Sequence, residues 1–200
     1  MDLRNFINRK ISQVPVWLVY IIGFIPSLIL FYRGYFNLLG VDPLKVLEHE
    51  LGEFALKFLV IVLFLTPIRR LFKINLIRFR RCTGLLSFWY AFFHFLVYIM
   101  LDQQMNWALI VEDLLKRPYI IVGFLAFLLI LPLAVTSNNW SIRRLSLSTW
   151  IKMHKIVYLA AIMAALHYIL LVKSWPLEPM IYLALIIFLV VIRFVPKKYF

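Results

Sequence analysis

The chain has little cysteine, little acid and little glycine. Cys82 is its one cysteine, which rules out an internal disulfide, a CxxC pair and a cysteine-held iron–sulfur cluster. It also lacks G-x-G-x-x-G, a P-loop and a Ser/His/Asp constellation, so we expect no nicotinamide- or flavin-binding soluble domain. Nine acidic residues stand against 22 Lys and Arg, which gives a formal net charge of +13.

The chain is instead rich in hydrophobic residues. It is 64% hydrophobic and 17% aromatic, with a mean hydropathy of +0.91, too apolar to cover a soluble globule with polar surface. The basic residues flank the apolar runs, where they set topology and meet anionic lipid, so the charge does not indicate nucleic-acid binding. We therefore predict an all-α polytopic membrane protein.

Six apolar runs reach the roughly 17–25 residues that a spanning helix needs. Backbone amides in lipid must bond within their own segment, so each run is predicted to be a helix. We predict one transmembrane domain over residues 1–200, with helices at about 14–32, 46–66, 84–101, 118–136, 150–172 and 179–195. The first run follows basic residues but lacks a small-residue cleavage site, so we interpret it as a retained anchor.

Charge predicts the orientation. One side of the predicted topology holds 15 of the 22 basic residues, and eight of the nine acids, all but Asp2, fall on the other side or in the helix ends that face it. Those 15 are Arg4, Arg9, Lys10, Arg69, Arg70, Lys73, Arg78, Arg80, Arg81, Arg143, Arg144, Lys152, Arg193, Lys197 and Lys198. Positive-inside topology then puts both termini in the cytoplasm.

Three histidines lie in the apolar runs. His94 is in the third, and His154 and His167 are both in the stretch from Trp150 to Lys173. An intramembrane imidazole is expensive and usually functional, and ligating a haem iron between helices satisfies several of them at once. The alternative is that these histidines only pack helices together through bonds to carbonyls or hydroxyls. Without a CxxCH motif, such a haem is predicted to be haem b.

The predicted depths pair two of these histidines. His94 and His167 come closest and could hold one haem toward the outer face, which suits electron transfer because both axial positions are filled. His154 is 13 residues from His167, which leaves the two side chains roughly 140° apart around one helix. Either the fifth helix is irregular or His154 serves another site. Where a partner for His154 is expected, the chain has Arg80 and Arg81, which could hold an anionic group such as a haem propionate.

The outer third of the second helix is polar. Its charged and titratable residues are Glu48, His49, Glu50, Glu53 and Lys57, and Glu53 and Lys57 are spaced to pair on one face. This part either lines a water-filled vestibule, faces a partner or projects above the bilayer. His49, beside two glutamates, is interpreted as a solvated surface histidine.

Four segments together resemble the ferric-reductase-like transmembrane proteins, and within them the MsrQ group of haem-binding membrane subunits of bacterial methionine sulfoxide reductase systems. They run from about Asp42 to Lys173 and read DPLKVLEHELGEFALKFLVIVLFLTPIRR, RFRRCTGLLSFWYAFFHFLVY, RPYIIVGFLAFLLILPLAVTS and MHKIVYLAAIMAALHYILLVK. The resemblance implies a six-helix b-type cytochrome with His94, His154 and His167 as its haem-associated histidines, with one haem or two, and with FMN as a further cofactor.

The resemblance also implies the partners. Electrons would come from the quinone pool or a cytoplasmic flavin reductase and pass to a periplasmic molybdopterin subunit, MsrP, which repairs oxidised methionine. The full ferric-reductase pattern has two histidines on each of helices three and five, whereas this chain has only His94 on helix three. Two alternatives stay open: a ferric or other metal reductase on the same fold, and a transporter or assembly factor without haem.

Overall fold

The computed structural model describes residues 3–172 and 176–195, and every regular element within them is helical. The α-helices are α1 (Leu3–Gln13), α2 (Val16–Tyr35), α3 (Pro43–Leu71), α4 (Arg80–Leu96), α5 (Trp107–Lys116), α6 (Pro118–Val135), α7 (Asn139–Leu145), α8 (Leu147–His154), α9 (Val157–Leu171) and α10 (Leu177–Val191). A 3₁₀ turn, Ile77–Phe79, leads into α4, and a π-helical segment, Val97–Asp102, continues it. The predicted all-α polytopic fold is confirmed. Four residues of the charge pattern, Asp2, Lys173, Lys197 and Lys198, lie outside the described residues.

Each of the six predicted apolar runs falls on a helix. Five helical stretches are long and apolar enough to cross a membrane, namely Val16–Tyr35, Pro43–Leu71, Ile77–Asp102, Pro118–Val135 and Leu147–Leu171. Leu177–Val191 is a shorter apolar helix. The second helix starts before its predicted position because Asp42 caps it and Pro43 occupies its first turn, where no backbone N–H is needed. The short helices α1, α5 and α7 were not predicted.

Helix α3 is the centre of the bundle. It packs most extensively against α4 and also contacts α2, α9 and α10. Two buried clusters share it: one joins α3 to α9 and α10 through residues such as Leu63 and Ile186, and the other joins it to α2 and α4 through residues such as Leu51 and Tyr90. Small buried residues on α9, Ala161 and Ala165, let its backbone approach α3 closely.

The predicted fifth helix is interrupted. Helix α8 ends at His154, a turn at Lys155 and Ile156 follows, and α9 begins at Val157. His154 and His167 therefore stand on two helical segments, and the angle computed for one regular helix does not apply. The irregular helix, which is one explanation of the 13-residue spacing, is therefore present in the structure.

The N-terminal helix packs where the charge pattern places it, on the side of the loop before α4. Asn8 at α1 donates to the carbonyl of Lys73 (3.1 Å) and accepts from the amide of Asn75 (2.9 Å). Arg78 donates to the backbone carbonyl of Ser12, in the last turn of α1. Nearby, Cys82 is fully buried at the start of α4.

Candidate metal centre

Two pairs of helices bring the histidines to the centre of the molecule. His94 lies on α4, against α3, and His167 lies on α9, against α6; these are the two most extensive helix pairings in the structure. The π-helical segment Val97–Asp102 starts three residues after His94 and re-aims the residues that follow it. Single-turn π segments inside α-helices are frequent at functional sites.

Each imidazole is held through the same ring nitrogen. Nδ1 of His94 donates to the backbone carbonyl of Glu48 (2.8 Å), and Nδ1 of His167 donates to the backbone carbonyl of Tyr119 (2.7 Å). A carbonyl oxygen only accepts, so in a neutral ring Nδ1 carries the proton and Nε2 carries the lone pair. This arrangement, with one nitrogen tied to a carbonyl, is the one that metal-ligating histidines adopt.

The two rings face one space. Their centroids are 6.2 Å apart and their planes are inclined at 75°. Two imidazole nitrogens on opposite sides of one metal ion, each about 2.0 Å from it, put the ring centroids roughly 6 Å apart. The structure therefore brings His94 and His167 to a spacing at which a single metal between them could be bound by both.

The space beside the rings is large and mostly apolar. A cavity of about 780 Å³ reaches from the histidine pair to the mouth of the bundle, and both imidazoles line it. Its walls include Leu56, Leu59 and Phe127 as well as the helix glycines Gly52 and Gly123. A cavity of this size suits a cofactor rather than a bare ion.

The chemistry of the ligand set favours haem over a free metal ion. In residues 3–172 and 176–195, no three His, Cys, Asp or Glu side chains are placed to hold a metal ion together. A pair of imidazoles completes a coordination sphere only when something else supplies the remaining ligands, and a porphyrin supplies four nitrogens in one plane. The described residues thus fit a haem.

The mouth of the cavity carries the acids that sequence analysis placed at the outer end. Gln103 donates to Asp102 (2.7 Å) and to Asp113 (3.1 Å), and Arg117 pairs with Asp113 at 3.4 Å. Glu48 and His49 line this mouth, so the vestibule interpretation of the polar end of α3 holds for these two residues. His49 is solvent-exposed, as expected, with its ring edge toward Tyr168.

The charged pair predicted at this end is present. Glu53 and Lys57 lie four residues apart on α3, and the Lys57 ammonium is 2.6 Å from the Glu53 carboxylate.

His154 lies at the other end of the bundle. Its ring stacks on Trp150, with centroids 3.7 Å apart, and its Nδ1 donates to the Trp150 carbonyl at 3.0 Å. Its Nε2 is buried and has no hydrogen-bond partner among the described residues. The structure therefore does not bring His154 to the pair formed by His94 and His167.

The two inner arginines separate in the structure. Arg80 is partly buried and lies close enough to His154 and Arg193 to interact electrostatically with both. Arg81 is exposed and donates to the side chain of Asn139 at 2.8 Å. Arg193 belongs to the charge pattern that predicts the topology, and in the structure it also donates to the hydroxyl of Tyr158 (2.9 Å) and to the Leu63 carbonyl (2.7 Å).

Comparison with known proteins finds matches over more than half of the chain. The family model described as "Ferric reductase like transmembrane component" matches residues 44–165, more than half of the chain. Curated relatives named "Protein-methionine-sulfoxide reductase heme-binding subunit MsrQ" are 48% identical in Brucella ovis and Brucella canis and 47% identical in Brucella melitensis. Each alignment spans 175 residues, 88% of this chain and 79% of the relative.

The chain belongs to the MsrQ group of the ferric-reductase-like transmembrane family. No solved structure matches it. The matched region begins one residue into α3 and ends within α9 at residue 165, so it contains His94, whereas His167 lies two residues beyond its end. The resemblance inferred from the four quoted segments is confirmed.

Proposed function

We propose that the chain is a b-type cytochrome subunit that carries electrons across the bacterial inner membrane to a periplasmic methionine sulfoxide reductase. The arrangement of His94 and His167 supports the proposal. Their ring centroids are 6.2 Å apart, and in each ring Nδ1 donates to a backbone carbonyl, which leaves Nε2 available to bind a metal. The name of the curated relatives supports the haem and the reductase system.

The residues at the centre suit electron transfer more than oxygen chemistry. His94 and His167 would hold the iron through Nε2 of each neutral ring, which would leave no ligand position free for a substrate. Bound haem supplies a one-electron iron couple. The carbonyls of Glu48 and Tyr119 make the imidazoles more basic and hold their orientation, and the apolar walls keep water from the iron.

His154 is our candidate ligand for a second haem. Its Nδ1 is committed to Trp150 and its buried Nε2 is unpartnered, which is the state a ligand needs. The described residues offer Arg80 beside it and no second histidine, so this chain would supply one imidazole there. Arg80 and Arg193 could receive the anionic groups of such a haem, or the phosphate of FMN if that cofactor binds. Arg81 is a weaker candidate because Asn139 already accepts from it.

The direction of transfer follows from the topology. With both termini in the cytoplasm, the inner arginines lie near the electron donor, quinol or a cytoplasmic flavin reductase, and the cavity mouth opens toward the periplasm. We propose that the molybdopterin subunit MsrP docks over that mouth, on the segment Asp102–Arg117, and forms a heterodimer with this chain. Helix α5 within this segment covers the cavity and shows an exposed apolar face.

A spectrum tests the centre. The purified protein should give a sharp low-spin b-type difference spectrum between its dithionite-reduced and air-oxidised forms. His94→Ala and His167→Ala should each abolish the low-spin signal of the haem between these two residues, while His154→Ala should remove a further component only if a second haem is bound. A colourless protein from haem-replete cells would refute the cytochrome proposal and favour a transporter or assembly factor.

A reconstitution tests the partners. The chain would be placed in liposomes with a reduced quinone, and electron delivery measured to purified MsrP with methionine sulfoxide and, separately, to a ferric chelate. We expect transfer to MsrP that depends on His94 and His167. Equal or faster transfer to the ferric chelate, with none to MsrP, would instead identify a metal reductase.

A further inference from the structure

His94 and His167 each contact the neighbouring helix in the same way. His94 donates to the carbonyl of Glu48 and its ring lies over Gly52, four residues further along α3. His167 donates to the carbonyl of Tyr119 and its ring lies over Gly123, four residues further along α6. The proposed function uses the histidines and the carbonyls, and it leaves the two glycines without a role.

The spacing of four has a physical reason. In an α-helix each Cα–Cβ bond tilts toward the N-terminus, so the side chain at one position covers the carbonyl one turn earlier. A Cβ at Gly123 would lie 2.6 Å from Nδ1 of His167, and one at Gly52 would lie 3.1 Å from Nδ1 of His94. Only glycine leaves each carbonyl open to an imidazole from the next helix.

The two arrangements are equivalent halves of one centre. In each, the first helix of an extensively packed pair gives a carbonyl and a glycine, and the second gives the histidine. The sequence separation between carbonyl and histidine is 46 residues in one half and 48 in the other. Repetition of the same contact in two helix pairs argues against an accident of packing in one of them.

We propose that Gly52 and Gly123 are positioning residues, each of which allows its histidine to present Nε2 to the iron. This inference rests on the proposed function, because it needs a haem between the two imidazoles. Each glycine acts through the histidine and touches no substrate. Loss of an outer-shell partner of a metal ligand typically costs roughly 10- to 100-fold in metal affinity.

The test compares Gly52→Ala and Gly123→Ala in the haem-loaded protein. We measure the low-spin ferric signal by electron paramagnetic resonance and the rate at which haem is lost to excess apomyoglobin. Gly123→Ala should convert the centre to a high-spin form and speed haem loss by roughly 10- to 100-fold. Gly52→Ala should act in the same direction but less, because its Cβ meets the ring at 3.1 Å and not at 2.6 Å.

Two other glycines provide matched controls. A Cβ at Gly84, on the same helix as His94, would have Val62 at 3.9 Å as its nearest neighbour, so Gly84→Ala should change nothing. A Cβ at Gly23 would lie 2.4 Å from Leu86, and neither residue lines the cavity, so Gly23→Ala should lower stability while its folded fraction keeps the wild-type spectrum. Comparing these two controls with Gly123→Ala distinguishes the effect of a methyl group elsewhere in the bundle from the effect of one that crowds a haem-binding histidine.

Added imidazole gives a readout that a merely structural role would not move. If Gly123→Ala displaces His167 from the iron, free imidazole should enter the vacated position and restore a low-spin spectrum. A folded Gly123→Ala protein with the wild-type spectrum and haem-loss rate would overturn the inference and leave the proposed function standing. A wild-type protein without haem would refute the proposed function itself. If Gly123→Ala does not fold, the milder Gly52→Ala decides by the same criteria.

Discussion

The side-chain hydroxyl of Tyr90, on α4, replaces one backbone hydrogen bond of α2. It donates to the carbonyl of Gly23 at 2.7 Å. The same oxygen accepts from the backbone amide of Ser27 at 3.0 Å, so it bridges the two groups that would otherwise bond each other along the helix. Tyr90 is fully buried. It therefore fixes α2 to α4, the helix that carries His94, by a polar contact within the apolar core.

Tyr90→Phe should destabilise the protein without changing its cofactor. The substitution removes the two hydrogen bonds that join α4 to α2, and each such bond contributes about 0.5–1.5 kcal/mol to stability. We expect a lower thermal-unfolding midpoint in detergent and an unchanged haem spectrum in the folded fraction. Tyr35→Phe is the control, because Tyr35 is 82% exposed and should tolerate the change. Equal midpoints for Tyr90→Phe and Tyr35→Phe would contradict the role of the bridge.

The sequence predicts the helices well because in a membrane the length of an apolar run decides the structure. All six predicted runs fall on helices. The short helices escaped prediction for the same reason: α5 lies in a segment interrupted by Glu112 and Asp113, too short and too polar to register as a span. The break after His154 was detected only indirectly, through the spacing of two histidines.

The sequence could predict the candidate side chains of the site but not their backbone partners. His94 and His167 were found because imidazoles are rare in apolar runs and their depths match. Their hydrogen-bond acceptors are backbone carbonyls, which every residue has, so no residue type marks Glu48 or Tyr119 as a partner. The contacts of Arg193 with Tyr158 and Leu63 could not be predicted, because positive-inside topology already accounts for an arginine at that end of the chain.

Trp150→Phe should separate stacking from hydrogen bonding at the inner site. The indole N–H of Trp150 donates to the Thr136 carbonyl at 2.9 Å, which links α8 to the end of α6, while its ring stacks on His154. Phenylalanine keeps an aromatic face and loses the donor, so we expect a loss of about 0.5–1.5 kcal/mol in unfolding free energy. Any spectral component that depends on His154 should survive in Trp150→Phe and change in Trp150→Leu.

The control at this site is Trp140→Phe, since Trp140 is 67% exposed. Chemical denaturation followed by circular dichroism would compare the three variants with the wild type. A Trp150→Phe protein as stable as Trp140→Phe would show that the bond to Thr136 contributes nothing measurable.

Asp42 should give the start of α3 a pH-dependent stability. Its side chain accepts from the Lys45 amide at 3.2 Å and pairs with the Lys45 ammonium at 3.1 Å. The hydrogen bond from the Lys45 amide, with a smaller contribution from the Lys45 side chain, lowers the pKa of Asp42. Because the folded-state pKa is below the unfolded one, the stabilisation is present above about pH 4 and is lost as the pH falls through the folded value.

The comparison that checks this is Asp42→Asn, which keeps an N-cap acceptor without a charge. Wild type should unfold at a higher temperature than Asp42→Asn at pH 7, and the difference should shrink on acidification toward pH 3. Asp42→Ala, which removes the cap as well, should be the least stable of the three at pH 7. A difference between wild type and Asp42→Asn that stays constant over this range would contradict the assignment.

Helix α5 should decide how well electrons leave the protein. Trp107, Val111 and Leu115 are four residues apart, so they form one stripe, and they are 65%, 58% and 81% exposed. If this stripe meets MsrP, Leu115→Glu places a charge in the interface and should slow electron delivery to MsrP roughly tenfold, the effect of a moderate interface hot spot. The haem spectrum should not change, because Leu115 does not line the cavity.

Leu177→Glu is the matched control, since Leu177 is 74% exposed at the start of α10. If both substitutions slow transfer equally, added charge on the outer face is responsible, and α5 is not the docking element.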